Sequence, residues 1–85
     1  MSTEPVLRQD AQGGAVERLQ RTVANLGYDP GPVDGRFGRQ TEEALRQFQA
    51  ANALVVDGIA GPETWAALGE AGARVVSDVP QRGRR

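Results

Sequence analysis

Val33-Asp34-Gly35-Arg36-Phe37-Gly38-Arg39-Gln40-Thr41 returns 23 residues later as Val56-Asp57-Gly58-Ile59-Ala60-Gly61-Pro62-Glu63-Thr64. Val, Asp, both glycines and Thr keep their places, and each copy stands in front of a helical pattern. An Asp-Gly pair specifies a turn: the Asp side chain bonds downstream backbone, and Gly takes the positive φ. The second Gly falls where a helix N-cap belongs, and Thr falls in the first helical turn. Phe37 or Ile59, between the glycines, is placed to plug the space between helices. A loop that launches a helix, used twice, makes the expected fold all-α. Any pairing of extended backbone around Val33 and Val55-Val56 is expected to be minor.

Working outward, Val16, Leu19, Val23 and Leu26 recur at spacings of three, four and three, one apolar stripe of a first helix. Gly13-Gly14 can cap it, and Gly27 is placed to stop it as the left-handed residue, with Tyr28 packing back on Val23. A second helix is predicted from Arg39 to Ala51, with Leu45 and Phe48 inward and Thr41, Ala44 and Ala51 near the same stripe. Glu17 with Arg21, and Glu42 with Arg46, form favourable four-residue pairs. Glu42 and Glu43 in the first turn suit the helix dipole. A third helix opens at Pro62, carries Trp65 and Leu68 inward, and is expected to end near Gly69. Asp29-Pro30-Gly31-Pro32 must be a turn.

The chain has 85 residues, 39% of them hydrophobic, with a net charge of -1, which fits one small folded domain rather than a charge-expanded coil. Residues 7–70 hold six Arg against nine acids, and residues 71–85 hold four Arg against one Asp. The expected domain covers 6–70, with a loose end at 1–5 and a mobile basic tail at 71–85. All ten basic residues are Arg, which codon bias explains. With no Cys and no His, disulfides, thiol nucleophiles, imidazole or thiolate zinc sites and histidine-based triads are excluded. A pI near 5.3 argues against a dedicated nucleic-acid binder. No apolar run is long enough to span a membrane. Residues 1–5 lack the pattern of a secretory signal. The chain is therefore expected to be cytoplasmic, to leave by a leaderless route, or to be a module of a longer secreted protein.

These residues resemble the type 1 peptidoglycan-binding domain family, small three-helix modules attached to many bacterial wall hydrolases. The resemblance rests on Leu7-Arg8, Gly13-Gly14, Val16, Leu19-Gln20 and Leu26-Gly27-Tyr28. It continues through Val33-Asp34-Gly35, Phe37-Gly38, Thr41, Ala44, Phe48-Gln49, Asn52, Leu54, Asp57-Gly58, Gly61-Pro62, Thr64-Trp65 and Leu68. The ordered set is specific for the fold and less so for the ligand. Two departures stand out: Ala53 where the family usually has Gly, and Arg39 where it usually has Pro. If residue 53 is left-handed, Ala there costs about 1–2 kcal/mol. Asn52 is the alternative holder of that conformation.

Asp34 and Asp57, as a catalytic pair, would need one raised pKa and a cleft between them. Their shared loop pattern favours turn formation instead. A calcium loop fits poorly, because Pro30 and Pro32 fall where acidic ligands belong. No metal or cofactor is expected. Phe37, Phe48 and Trp65 read as core, while Tyr28 staples helix one and can show its hydroxyl. Arg36 and Arg39 should project from the loop. Gln20, Gln49 and Asn52 offer amides, with satisfaction of loop backbone as the alternative use of both glutamines. Amides and hydroxyls can meet acetamido groups and sugar hydroxyls, and an Arg fork can clamp a carboxylate. The candidate binding set is Tyr28, Asp34, Arg36, Arg39, Gln49 and Asn52.

The resemblance implies an all-α three-helix bundle with ordered Gly-rich loops. It also implies non-catalytic binding of bacterial cell-wall peptidoglycan, glycan strand and stem peptide alike, that targets or tethers a partner. That partner would be a fused or associated hydrolase or an assembly protein. A shallow site should bind weakly and gain through repetition along the polymer. The chain is expected to be a monomer. The alternative is a protein–protein interaction module of a larger complex. An enzyme is disfavoured, since wall hydrolases use His or Cys ligands or a carboxylate pair in a deep cleft. The basic end at 81–85 could touch an anionic polymer, an ordinary disordered end being favoured.

Overall fold

The computed structural model describes residues 6–71, which form three helices: α1 (Gly14–Asn25), α2 (Arg39–Ala51) and α3 (62–71). In each, a glycine carbonyl accepts the first helical bond: Gly13 from Glu17, Gly38 from Glu42 and Gly61 from Trp65. No side chain caps α1 or α2. The two long helices end alike. Gly27 N–H bonds the Ala24 carbonyl and Tyr28 N–H the Val23 carbonyl. Ala53 and Leu54 repeat this on Ala50 and Gln49. These are paired Schellman closures, each needing a left-handed residue. Gly27 has φ 102°, whereas the second closure uses Ala53 at φ 59°. Asn52 lies at φ -111° and does not take the left-handed role.

The apolar stripes converge as their periodicity requires. Val16, Leu19 and Val23 of α1 meet Ala44, Leu45 and Phe48 of α2 and Trp65 and Leu68 of α3, all buried. A fully buried Leu or Phe side chain contributes about 1.5–3 kcal/mol. The Glu17–Arg21 pair at 3.6 Å and the Glu42–Arg46 pair at 3.0 Å are solvent-facing and contribute about 0.3–0.5 kcal/mol each. Packing therefore sets the stability. Leu26 and Tyr28 are half-buried against this core. The Tyr28 ring stands edge-on to Phe48 at 6.0 Å. Arg18 lays its guanidinium over Trp65, 4.9 Å from the ring centre.

The N-terminal segment laces both loops to the core. Leu7 exchanges backbone bonds with Ala60 at 3.2 and 2.8 Å. Asp10 N–H donates to the Phe37 carbonyl, and Phe37 N–H to the Ala11 carbonyl, both at 2.9 Å. Isolated bridges thus form at Leu7–Ala60 and Gln12–Arg36. The pairing expected around Val33 and Val55-Val56 is not where bridges occur; these valines are exposed. Phe37 plugs the core as expected, but its counterpart is Ala60. Ile59 lies half-exposed in the register of Arg36, because Ala60 is the residue laced to Leu7. Ala51 is exposed. Helix α3 continues past Gly69 and is still helical at residue 71, so the boundary expected at 70 falls inside it. The expectations for residues 1–5 and 72–85 lie outside the described residues.

Candidate functional site

Each launching loop is fastened from inside by a glutamine. Gln20, on the buried face of α1, receives the N–H groups of Asp34 (3.1 Å) and Gly35 (2.9 Å) on Oε1. Its Nε2 donates to the Arg36 carbonyl at 2.8 Å, to Thr41 Oγ1 at 3.0 Å and, more weakly, to Asp34 Oδ1 at 3.4 Å. Thr41 in turn donates to the Pro30 carbonyl at 3.0 Å. Gln49 of α2 does the same for the second loop. It accepts from Asp57 and Gly58 and donates to Asp57 Oδ1, the Ile59 carbonyl and Thr64 Oγ1. A buried polar group is tolerated when its bonds are made, and here one carboxamide satisfies a whole loop. The glycines admit the close fit. A Cβ on Gly35 (φ 77°) would lie 3.2 Å from the Gly13 carbonyl, and one on Gly58 (φ 70°) 2.9 Å from Glu42 Cγ.

Asp34 Oδ1 accepts the Arg36 N–H at 2.9 Å, and Asp57 Oδ1 the Ile59 N–H at 3.0 Å. Those backbone bonds hold both carboxyls below the usual carboxylate value, outweighing desolvation, with the glutamine amides adding to the effect. Both are therefore anionic turn formers at neutral pH. A general acid needs the opposite shift.

Around the first loop lies a depression of about 230 Å³, with Asp34, Arg36, Arg39 and Gln40 on its rim and Pro30, Pro32 and Thr41 in its wall. Three candidate residues, Asp34, Arg36 and Arg39, are thus brought together, all exposed. The others are dispersed. Gln49 is wholly buried, its amide bonded within the second loop, so the fold removes it from any surface. Asn52 closes α2 by donating to the Phe48 carbonyl at 2.9 Å and borders a separate groove along α3. Tyr28 packs on Phe48 and does not line the first depression. Gln40 was not among the expected residues, although its place one turn before Glu43 on α2's exposed side could have marked it.

A family model described as "Putative peptidoglycan binding domain" matches residues 12–68. An uncharacterized protein from the bpoA1 3' region of Kitasatospora aureofaciens is 47% identical over 68 residues, 79% of this chain and 58% of that protein. The N-acetylmuramoyl-L-alanine amidase CwlM of Mycobacterium tuberculosis is 43% identical over 68 residues, 80% of this chain and 17% of the amidase. The chain therefore spans well under two thirds of the length of these relatives. Among solved structures, the SleB N-terminal domain superposes with a TM-score of 0.78 at 40% identity, covering 81% of this chain and 94% of that one.

Proposed function

The chain belongs to the peptidoglycan-binding domain family, and from that membership we propose that it holds bacterial cell-wall peptidoglycan without cutting it, tethering an attached or associated partner to the wall. The carrying observation is the placement of Arg36 and Arg39 on one depression, beside an anionic Asp34 and the amide of Gln40. Guanidinium forks suit the carboxylates of the stem peptide, and the carboxylate and amide suit hydroxyl and acetamido groups. The rim is presented by a loop whose backbone is clamped by Gln20, so the backbone loses little conformational freedom on binding. That the amidase CwlM is far longer than its matching portion supports a partner that supplies the chemistry. A shallow site of this size binds weakly, and repetition of the ligand along the polymer raises retention.

Co-sedimentation with purified sacculi, with chitin as control, tests this. Retention on sacculi and not on chitin is expected. A chain left in the supernatant, combined with a stable complex with another protein, would instead select the interaction-module reading.

A further inference from the structure

The two loops share a scaffold and differ in lining. In matching register, Arg36, Arg39 and Gln40 of the first become Ile59, Pro62 and Glu63 of the second. The second loop borders a depression of about 400 Å³, completed by Leu54, Val55 and Asp57. Through Leu54 and Glu63 it runs into a groove of about 350 Å³ along α3, which adds Ala66, Ala67 and Glu70. The surface thus has an aliphatic floor and three carboxylates on its margin, with no cation among its described lining residues. Arg46, the cation acting on Asp57, is itself bonded to Glu42 at 3.0 Å.

Resting on the wall-binding reading above, we propose that this second depression receives an aliphatic chain ending in a primary ammonium, the side chain of the diamino acid in the stem peptide. Its methylenes lie against Leu54, Val55 and Ile59, and its N–H donors face the acceptor-only carboxylate of Glu63, which lines both depressions, with Asp57 in the one and Glu70 in the other adding negative field. A stem peptide carries carboxylates and an amine on one short chain. A pair of loops with opposite charge, held in fixed relation by Gln20 and Gln49, matches both ends and gives the peptide one direction. The exposure of Val55, at 70%, leaves the floor open to such a chain.

The test uses the full chain, ¹⁵N-labelled at low salt, titrated with L-Ala-γ-D-Glu-L-Lys and with its Nε-acetylated form. The free amine should shift the amides of Leu54, Val55, Ile59 and Glu63, and acetylation should weaken binding roughly two- to fivefold, the scale of a solvent-facing ion pair. Glu63→Gln and Glu70→Gln together should bring the free amine down to the acetylated level and leave the acetylated peptide unchanged. Equal binding of the two peptides, or shifts confined to residues near Arg36, would overturn the proposal. So would movement of the same amides, without peptide, in a full-length variant with Arg74, Arg82, Arg84 and Arg85 changed to Gln, because the chain's own basic end would then be the occupant. Sacculi separate the two readings. Equal retention on native and amine-acetylated sacculi removes the ammonium site and leaves wall binding standing. No retention on native sacculi removes wall binding itself.

Discussion

Gln20 accepts the Gly35 N–H on its Oε1 at 2.9 Å, from a side chain that is only 1% exposed. The same bond joins Gln49 to Gly58 at 3.0 Å. An apolar replacement of either glutamine strands two backbone N–H groups and a carbonyl beside the core. Leaving buried polar groups unpaired costs about 1–3 kcal/mol each where water cannot reach them. Because part of each loop is solvent-facing, Gln20→Met or Gln49→Met is expected to lose about 2–4 kcal/mol in urea unfolding. A loss below about 0.5 kcal/mol would show that water replaces the carboxamide without penalty.

Ala53 carries a left-handed backbone that α1 assigns to Gly27. An L-residue with a Cβ pays about 1–2 kcal/mol in that region. Glycine relieves the strain but loses about 0.4–1 kcal/mol through the unfolded chain. The difference favours Ala53→Gly by about 0.5–1 kcal/mol, which should raise the Tm by about 3–6 °C in a domain of this size. Gly27→Ala should move the other way. A lower Tm for Ala53→Gly would contradict the observed φ.

Asp34 and Asp57 have carboxyls held below their ordinary value by the N–H groups of Arg36 and Ile59. The folded state therefore binds fewer protons than the unfolded state in the acid range. Their contribution is present above the unfolded pKa, about 3.9, and is lost as pH falls through the lower folded values. Stability is expected to be insensitive to these groups between pH 5 and 8 and to fall below about pH 4. Asn keeps the acceptor oxygen without the charge. Asp34→Asn with Asp57→Asn should thus flatten the drop between pH 5 and pH 3 in urea titrations. Identical drops in both proteins would show that other carboxylates carry it.

How far these features could be read beforehand depends on how local their causes are. Helix α2 was legible to its ends, because an apolar stripe, a preceding Gly38 and the Glu42–Arg46 spacing all act within a few residues. The repeat exposed the launching loops, since Asp-Gly turn chemistry is equally local. The plug was misassigned in the second copy because Ala60 is small, and only its bonds to Leu7, 53 positions away, reveal it as the inward residue. The positive φ of Asp10, 81°, stands at the third position of the turn that Ala11 N–H closes on the Arg8 carbonyl, where no glycine marks it in the sequence. Gln20 sits beside Leu19 on the stripe of Val16 and Val23, a polar residue in a buried row. That signal supported loop fastening and allowed surface binding for Gln49, and burial decides between them. Asp34, Arg36 and Arg39 fell together because they lie on one loop and the first residue of the helix it launches. Tyr28 and Asn52 did not, because each closes a different helix end.

Arg36 and Arg39 test the binding reading without disturbing the fold. Both side chains are exposed, and exposed substitutions of this kind stay within about 0.5 kcal/mol. The loop is held through the Arg36 backbone, which any residue supplies. Arg36→Gln with Arg39→Gln should therefore leave the Tm nearly unchanged while lowering retention on sacculi. Each guanidinium–carboxylate contact at a wet rim is worth about 0.2–1 kcal/mol, so a roughly two- to thirtyfold loss is expected at low salt, the product of two such contacts. Wild-type retention should decline with added salt over the range where the Debye length shrinks from about 30 Å to about 8 Å. The variant should decline less steeply, having fewer charges to screen. Parallel salt profiles for variant and wild type, with equal retention throughout, would place the contact with the polymer away from the first loop.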